Sequence, residues 1–575
     1  MSKKILFCSL FILIFLIPLK QDSNAKTWER HNTTIHADSI LAAIDRGDSV
    51  EIRHCRIYGP LIKQGTRERP DTIDRFLEIN SSIFHDKVAF EHCYFMEELD
   101  FWGDNLAGAV NFSETTFGGR ASFRLARFRG EAIFELVRFS RVADFGHAGF
   151  SREALFDFTT FKGEANFQKA TFSGKADFRY VTFGGYAFFP QATFGGETYF
   201  AEDTFRVEAD FRLVNFDSSA YFDGCEFRGE ATFFRSVFDL SASFIGATFG
   251  RQVEFGHTSF GRAVDFSWVS FDSSASFRYT IFNSSASFSA ATFGGDIDFI
   301  EVNFRGPVFF IDASFDSSAR ARFRDAIFDT SVSFLGTHFL GGADFEAISF
   351  SEDADFSDAE FSRKVYLSPK KFKDLNISWK QLEGYLVYDR LANYKLRRHF
   401  EEKAQFNDAD GIYLFIKDQE RMRKPPWVRY PEYWFVYLTC GYGTKPVNTL
   451  ILSIVLVFLF AIFFTKSGAI KEIEKESGHR RWRRLYREIP KTRRKRFYYA
   501  LYFSLHTFII GVVSDWHATD EFLIKRMIEI KLFKFGPNIK LTPRFKFRTL
   551  SMMEGALGWI LVIILIISLE RTIGR

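Results

Sequence analysis

The chain has 575 residues, 75 of them Phe, and its 75 Lys and Arg nearly balance 71 Asp and Glu, leaving a net charge of +4. That length exceeds what one hydrophobic core usually holds, so more than one structural unit is expected. The near-neutral balance argues neither for nor against nucleic acid, while the five Cys lack metal-ligand or Cys-x-x-Cys spacing and exclude a Cys-built metal or redox centre.

The first 25 residues read as a secretion signal, the alternative being an uncleaved anchor helix. Lys3 and Lys4 precede an apolar run from Ile5 to Leu19, and Ser23-Asn24-Ala25 supplies a small-x-small cleavage pattern. The chain beyond residue 25 is therefore expected to leave the cytoplasm. Cys55 and Cys93 could bridge in an oxidising compartment, which sequence does not decide.

From Phe112 the phenylalanines fall at Phe117, Phe123, Phe128, Phe134, Phe139, Phe145 and Phe150, alternating steps of five and six. The pattern runs to Phe315, a two-residue insertion moves the next to Phe323, and it then resumes to Phe361. Small residues such as Ala176, Ala209 and Ala275 stand two positions before many of them. A 3.6-residue helix would scatter this spacing around its surface, and a lone half-buried strand needs period two. A coil with short flat sides fits: each side turns one large and one small side chain inward, polar residues form the corners, and stacking makes the core continuous. The Phe rings are expected to stack in columns.

The unit A-x-F-x-x-[AV]-x-F-G-x-x, as in ADFRYVTFGGY and ASFIGATFGRQ, resembles the Phe-centred variant of the pentapeptide-repeat family over roughly 100–361. The resemblance implies a right-handed quadrilateral β-helix, a β-solenoid of about eleven coils and about 50 Å at ordinary strand spacing. Residues 26–99, with ILAAIDRGDSVEIRHCRIYGPLI, look like the less regular opening coils and cap of such a solenoid.

Residues 362–430 are expected to be a helical connector. Leu382, Leu386, Leu391, Tyr394 and Leu396 recur at helical separations, and a second helix runs from about Asp408, with capping residues at Phe406-Asn407-Asp408. The pair is read as a solenoid cap before it is read as a partner contact. The remainder, 431–575, is expected to be an α-helical membrane module. An aromatic run from Trp427 to Tyr437 suits a membrane interface, and spans are placed at about 447–465 and 550–569, the second interrupted only by Glu554. A shorter apolar stretch at about 497–513 is read as a re-entrant segment or a third span. Basic runs at 466–496 and 525–548 point to lipid headgroups.

YYALYFSLHTFIIGVVSDW, followed by MMEGALGWILVIILIISLERTIGR, resembles the pore helix and inner helix of two-transmembrane ion channels. Carried over, Thr507 and Phe508 match the motif's opening and Asp515 its closing acid. Ile510 stands for the first filter threonine, and Gly511, Val512, Val513 and Ser514 stand where V-G-Y-G belongs. Both filter glycines are missing in that register, so a potassium-selective filter is not expected. TCGYGTKP at Thr439–Pro446 contains GYG but lacks a preceding outer helix; it resembles the juxtamembrane CGYG-x-x-P stretch beside such modules and is read as a turn.

No enzyme constellation, cofactor site or metal site is read. His147, His257 and His338 fall at outward or corner positions, and Asp210, Asp265 and Asp298 on a solvated face. The expectation is a membrane-anchored scaffold or protein-binding surface in a bacterial inner membrane. Its solenoid is expected in the periplasm, and its partners are expected to be membrane lipids and a protein on the solenoid face rather than nucleic acid. The alternative is a poorly selective, homo-oligomeric cation channel with the solenoid as appendage. A soluble DNA mimic would need an acidic, membrane-free rod.

Overall fold

The computed structural model describes residues 26–465, 493–510 and 547–573 and the short strands 470–474, 485–488, 516–518, 528–531 and 538–541. The signal read at 1–25 lies outside the described residues. The chain divides into two compact units, Met1–Val387 and Tyr388–Arg575.

The first unit is a parallel β-solenoid. One coil lays down four two-residue strands, and each pairs with its counterpart one coil on: Ala121–Ser122 with Ala143–Asp144, Arg127–Phe128 with Gly149–Phe150, Ala132–Ile133 with Ala154–Leu155, and Arg138–Phe139 with Thr160–Phe161. These define its first to fourth sides. The first side has sixteen strands, from Thr27–His31 to Val365–Ser368. About sixteen turns thus occupy 27–376, beyond the regular Phe stretch at both ends, and strand spacing makes them about 70 Å long.

Inside, the four Phe of each coil form four columns. Phe145 stacks on Phe167 with centroids 4.9 Å apart and planes 1° from parallel, and it meets Phe156 of the next column edge-on at 5.4 Å and 90°. Stacking along columns and edge contacts between them are the two arrangements the aromatic quadrupole favours. Ala121, Ala132 and their equivalents fill the narrow space beside the rings, fully buried. Three residues after alternate Phe sits another inward position. Thr258 and Thr280 there donate their hydroxyls to the carbonyls of Phe233 and Phe255 at 2.8 and 2.7 Å.

Between these two positions the backbone turns through the left-handed region, at Leu125, Leu136, His147 and Phe158 and onward once every eleven residues. Ends are closed by helices. Near the N-terminus α1 (Ala37–Asp45) buries Ile40, Ala43 and Ile44 beside strands Ser49–Arg53 and Leu61–Gln64. At the other end α2 (Trp379–Leu382) sends Gln381 Nε2 to the carbonyls of Phe356 and Ala359 at 2.7 and 2.9 Å.

In the second unit α3 (Arg390–Glu402) packs on α4 (Phe406–Met422) through Leu396, Phe400, Ile412 and Ile416. Three expectations change here. Leu382 and Leu386 belong to the solenoid end, Leu391 is exposed, and Asn407 and Asp408 lie inside the first turn of α4, whose cap position is Gln405. Then come α5 (Pro426–Glu432), a π turn, α6 (Leu438–Cys440), α7 (Pro446–Phe464), α8 (Arg493–Ile510) and α9 (Phe547–Ile573). Within them Pro446–Phe464 and Arg548–Glu570 are long and apolar enough to cross a membrane.

Candidate functional site

Two regions offer function: the junction of α7, α8 and α9, and the outer surface of the solenoid. Val457 of α7, Phe508 of α8 and Leu561 of α9 form one apolar cluster. A Cβ at Gly558 would overlap the Phe508 carbonyl, so the absence of a side chain there lets α8 and α9 touch backbone to backbone. One turn earlier on both helices Ser504 hydrogen-bonds Glu554. Ser504 pairs with Glu554 and Phe508 with Gly558, so α8 and α9 run in the same direction. Phe464 meets Phe503 at 5.0 Å while Val457 meets Phe508, so α7 runs opposite to both.

The strands tell where the chain goes between them. Ile470–Glu474, just after α7, pairs with Leu485–Glu488, just before α8, and also with Trp516–Ala518, just after α8. Together they make one small antiparallel sheet that joins the segments before and after α8.

Of the pore-motif residues, Thr507 and Phe508 are buried and still helical, and Ile510 is the last residue of α8. Gly511 and Asp515 lie outside the described residues. Phe508 is consumed by the apolar cluster. The GYG stretch forms a tight turn, with Gly441, Tyr442 and Gly443 all at positive φ, and Tyr442 donates to Glu432 at 3.0 Å. Burial and that carboxylate push the Tyr442 hydroxyl pKa up. Thr449 of α7 donates to the Thr439 carbonyl at 2.9 Å, fastening the turn to the helix. Glu554 carries more of the site's chemistry than the motif does. Its signal in sequence is a lone acid within an apolar stretch.

On the solenoid, His147 and His257 sit at corners and His338 is exposed. Asp210 is not on a solvated face: Arg212 folds over it at 2.6 Å and it is buried. Cys55 and Cys93 are free and separately buried, their thiols donating to the Arg30 and Lys63 carbonyls at 3.6 and 3.5 Å. Leu136, Phe158 and Tyr180 occupy one corner in successive coils, all about half exposed, with Phe158 and Tyr180 stacked at 4.9 Å. On the adjoining third side Tyr199 and Tyr221 stack at 5.0 Å, under Lys175 and Arg179. The bond from Tyr199 to Glu197, helped by burial, pushes its hydroxyl up to about 12. Among the described residues no group of three or more His, Cys, Asp or Glu is placed to hold a metal.

A family model described as pentapeptide repeats, in nine copies, matches residues 105–149, 150–192 and 299–349. Over those segments the solenoid is built of pentapeptide repeats. All three matched segments lie in its Phe-laddered part, and the two-residue insertion falls inside the third. That family model does not reach the second unit, Tyr388–Arg575. No curated protein and no solved structure matches the chain.

Proposed function

We propose that the chain is a membrane-tethered pentapeptide-repeat scaffold, with the solenoid as protein-binding surface and α7 and α9 as a two-span anchor. The observation that carries this is the pairing of two apolar helices of spanning length with a solenoid whose repeated side chains are consumed by packing. Such solenoids are generally structural or protein-binding. What is left for recognition is the outer surface, and there Leu136, Phe158 and Tyr180 put three large apolar side chains on one corner in successive coils.

Membrane fractions washed at alkaline pH test the anchor. The full chain is expected to stay with the lipid and a chain ending at residue 430 to be released; release of the full chain would sink the reading. Photo-crosslinkers at Phe158 and at Thr193 test the surface, with a partner expected from the first alone.

A second reading, a poorly selective cation pore, draws support from the packing of α8 alongside α9 in the same direction. Cation flux into liposomes that persists after Thr507→Ala and after loss of 431–575 would exclude it.

A further inference from the structure

One carboxyl within the helices of the second unit is buried with no counter-charge beside it among the described residues. Glu554 lies in the apolar stretch Arg548–Glu570 and has no solvent exposure. Its Oε1 bonds Ser504 Oγ of α8, and the same Oγ stands 2.8 Å from the Val457 carbonyl of α7. A serine hydroxyl has one proton to give, and a backbone carbonyl only accepts. Once Ser504 donates to Val457, the proton of the Ser504–Glu554 bond has to come from the carboxyl. Both bonds are satisfied when Glu554 is the neutral acid.

Two further oxygens have no hydrogen-bond partner: Glu554 Oε2, and Thr507 Oγ1 one turn beyond Ser504 on α8, both buried. Nothing titratable faces Glu554 from α7, because Pro446–Phe464 contains no ionisable side chain. On α8, Tyr498, Tyr499 and Tyr502 are exposed, and His506 lies two residues from Ser504, on the opposite face of the helix. Lys495 and Arg496 are two turns away from Ser504, and Arg548, on α9 itself, is exposed. The strand Trp516–Ala518, which touches α9, carries His517, outside the described side chains.

We propose that Glu554 is a binding site for one small monovalent cation, held as the carboxyl proton given to Ser504 or replaced by an alkali ion on the oxygens of Glu554, Ser504 and Thr507. The exchange is simple: the acid releases its proton to water, and the carboxylate left behind takes up the metal ion. With neither cation present, a bare carboxylate would remain among apolar side chains, which is costly enough to part α8 from α9. Occupancy of the site would thus set whether α8 stays packed on α9. This goes beyond the scaffold reading and needs only the three helices to be packed together.

The full-length protein in detergent is the test, with its unfolding midpoint followed from mildly acidic to mildly alkaline pH in sodium, potassium or choline chloride at equal ionic strength. The wild-type midpoint is expected to fall by several degrees as pH rises. Recovery by sodium or potassium over choline would identify an alkali ion, and an equal fall in all three salts a proton. Glu554→Gln, uncharged and of the same shape, is expected to flatten the profile; an unchanged profile would overturn the proposal. A second measurement needs no variant. An apolar carbodiimide, which adds to a protonated carboxyl to give an acylurea, is expected to label Glu554 at acidic pH and to lose it as pH rises or an alkali ion binds. Glu554 left unlabelled at acidic pH, while other carboxyls react, would equally overturn it. Alkaline release of the chain from membranes would remove the anchor but leave both measurements standing.

Discussion

Asp203 occupies the inward position that Thr115 and Thr159 hold in earlier coils, and Asp104 the one that Thr258 and Thr280 hold in later coils. Each accepts a backbone N–H through Oδ1, from Val181 at 2.7 Å and from Ser82 at 2.6 Å, and each leaves Oδ2 buried without a partner. Burial holds both carboxyls well above the usual carboxylate range. The folded chain therefore keeps a proton that the unfolded chain gives up first. The stability these groups allow is present below about pH 4 and declines as pH rises toward their folded pKa values. Asp203→Thr supplies a hydroxyl where the column already accepts one. It is expected to gain about 1–3 kcal/mol at neutral pH in denaturant titrations and to reduce the decline with pH. The same burial pushes the Cys93 thiol up to about 12 and raises Cys225 as well. Cys55, Cys93 and Cys225 are expected to resist alkylation in the native protein and to react once it is unfolded, as thiol counting would show. The repeat makes these positions legible as inward and small. It says nothing of an acid placed among them, because the pattern tolerates whatever fits the space.

At the scale of the coil, the five-and-six spacing reveals sides, corners and ring columns, since a Phe that must point inward fixes the phase of everything between. The left-handed corners leave no such mark. They hold Leu125, His147, Phe158 and Tyr180 as readily as Gly224 or Gly246, and a positive φ is legible only where glycine is required. Glycine is required opposite the two-residue insertion. A Cβ at Gly341 would overlap the Ala319 carbonyl oxygen, whereas one at Gly149 meets nothing within 4 Å. Gly341→Ala is expected to cost about 1–3 kcal/mol and Gly149→Ala to fall within about 0.5 kcal/mol of wild type, compared by thermal unfolding. Leu382 and Leu386 show the limit of periodicity from the other direction. They continue a helical spacing into α3, yet they close the end of the solenoid instead, because the exposed last coil offers apolar surface that α2 can cover.

For the molecule as a whole, hydropathy alone finds α7 and α9 but cannot say whether the stretch between them crosses. The pairing of Ile470–Glu472 with Trp516–Ala518, across more than forty residues, bears on that question, and no local pattern carries it. If α7 and α9 span and the stretch between them does not, both basic runs, 466–496 and 525–548, flank the membrane on one side, as the positive-inside rule asks. Reporters at Gly468 and Asp520 are then expected to read the same side and one at the C-terminus the other; a split between the first two would mean that the stretch between them crosses.

A surface that repeats every coil gives a partner many equivalent places to sit, each one strand spacing from the next, so recognition of the regular coils alone has no fixed position. The two-residue insertion between Phe315 and Phe323 breaks that translation. It steps the register from Ile297 to Ala321, and beside it Arg322 bonds Asp296 and Asp298 while Arg324 reaches Asp344 and Glu346. A ligand that reads this charged interruption is held to one position along the rod, so the irregularity serves as an address.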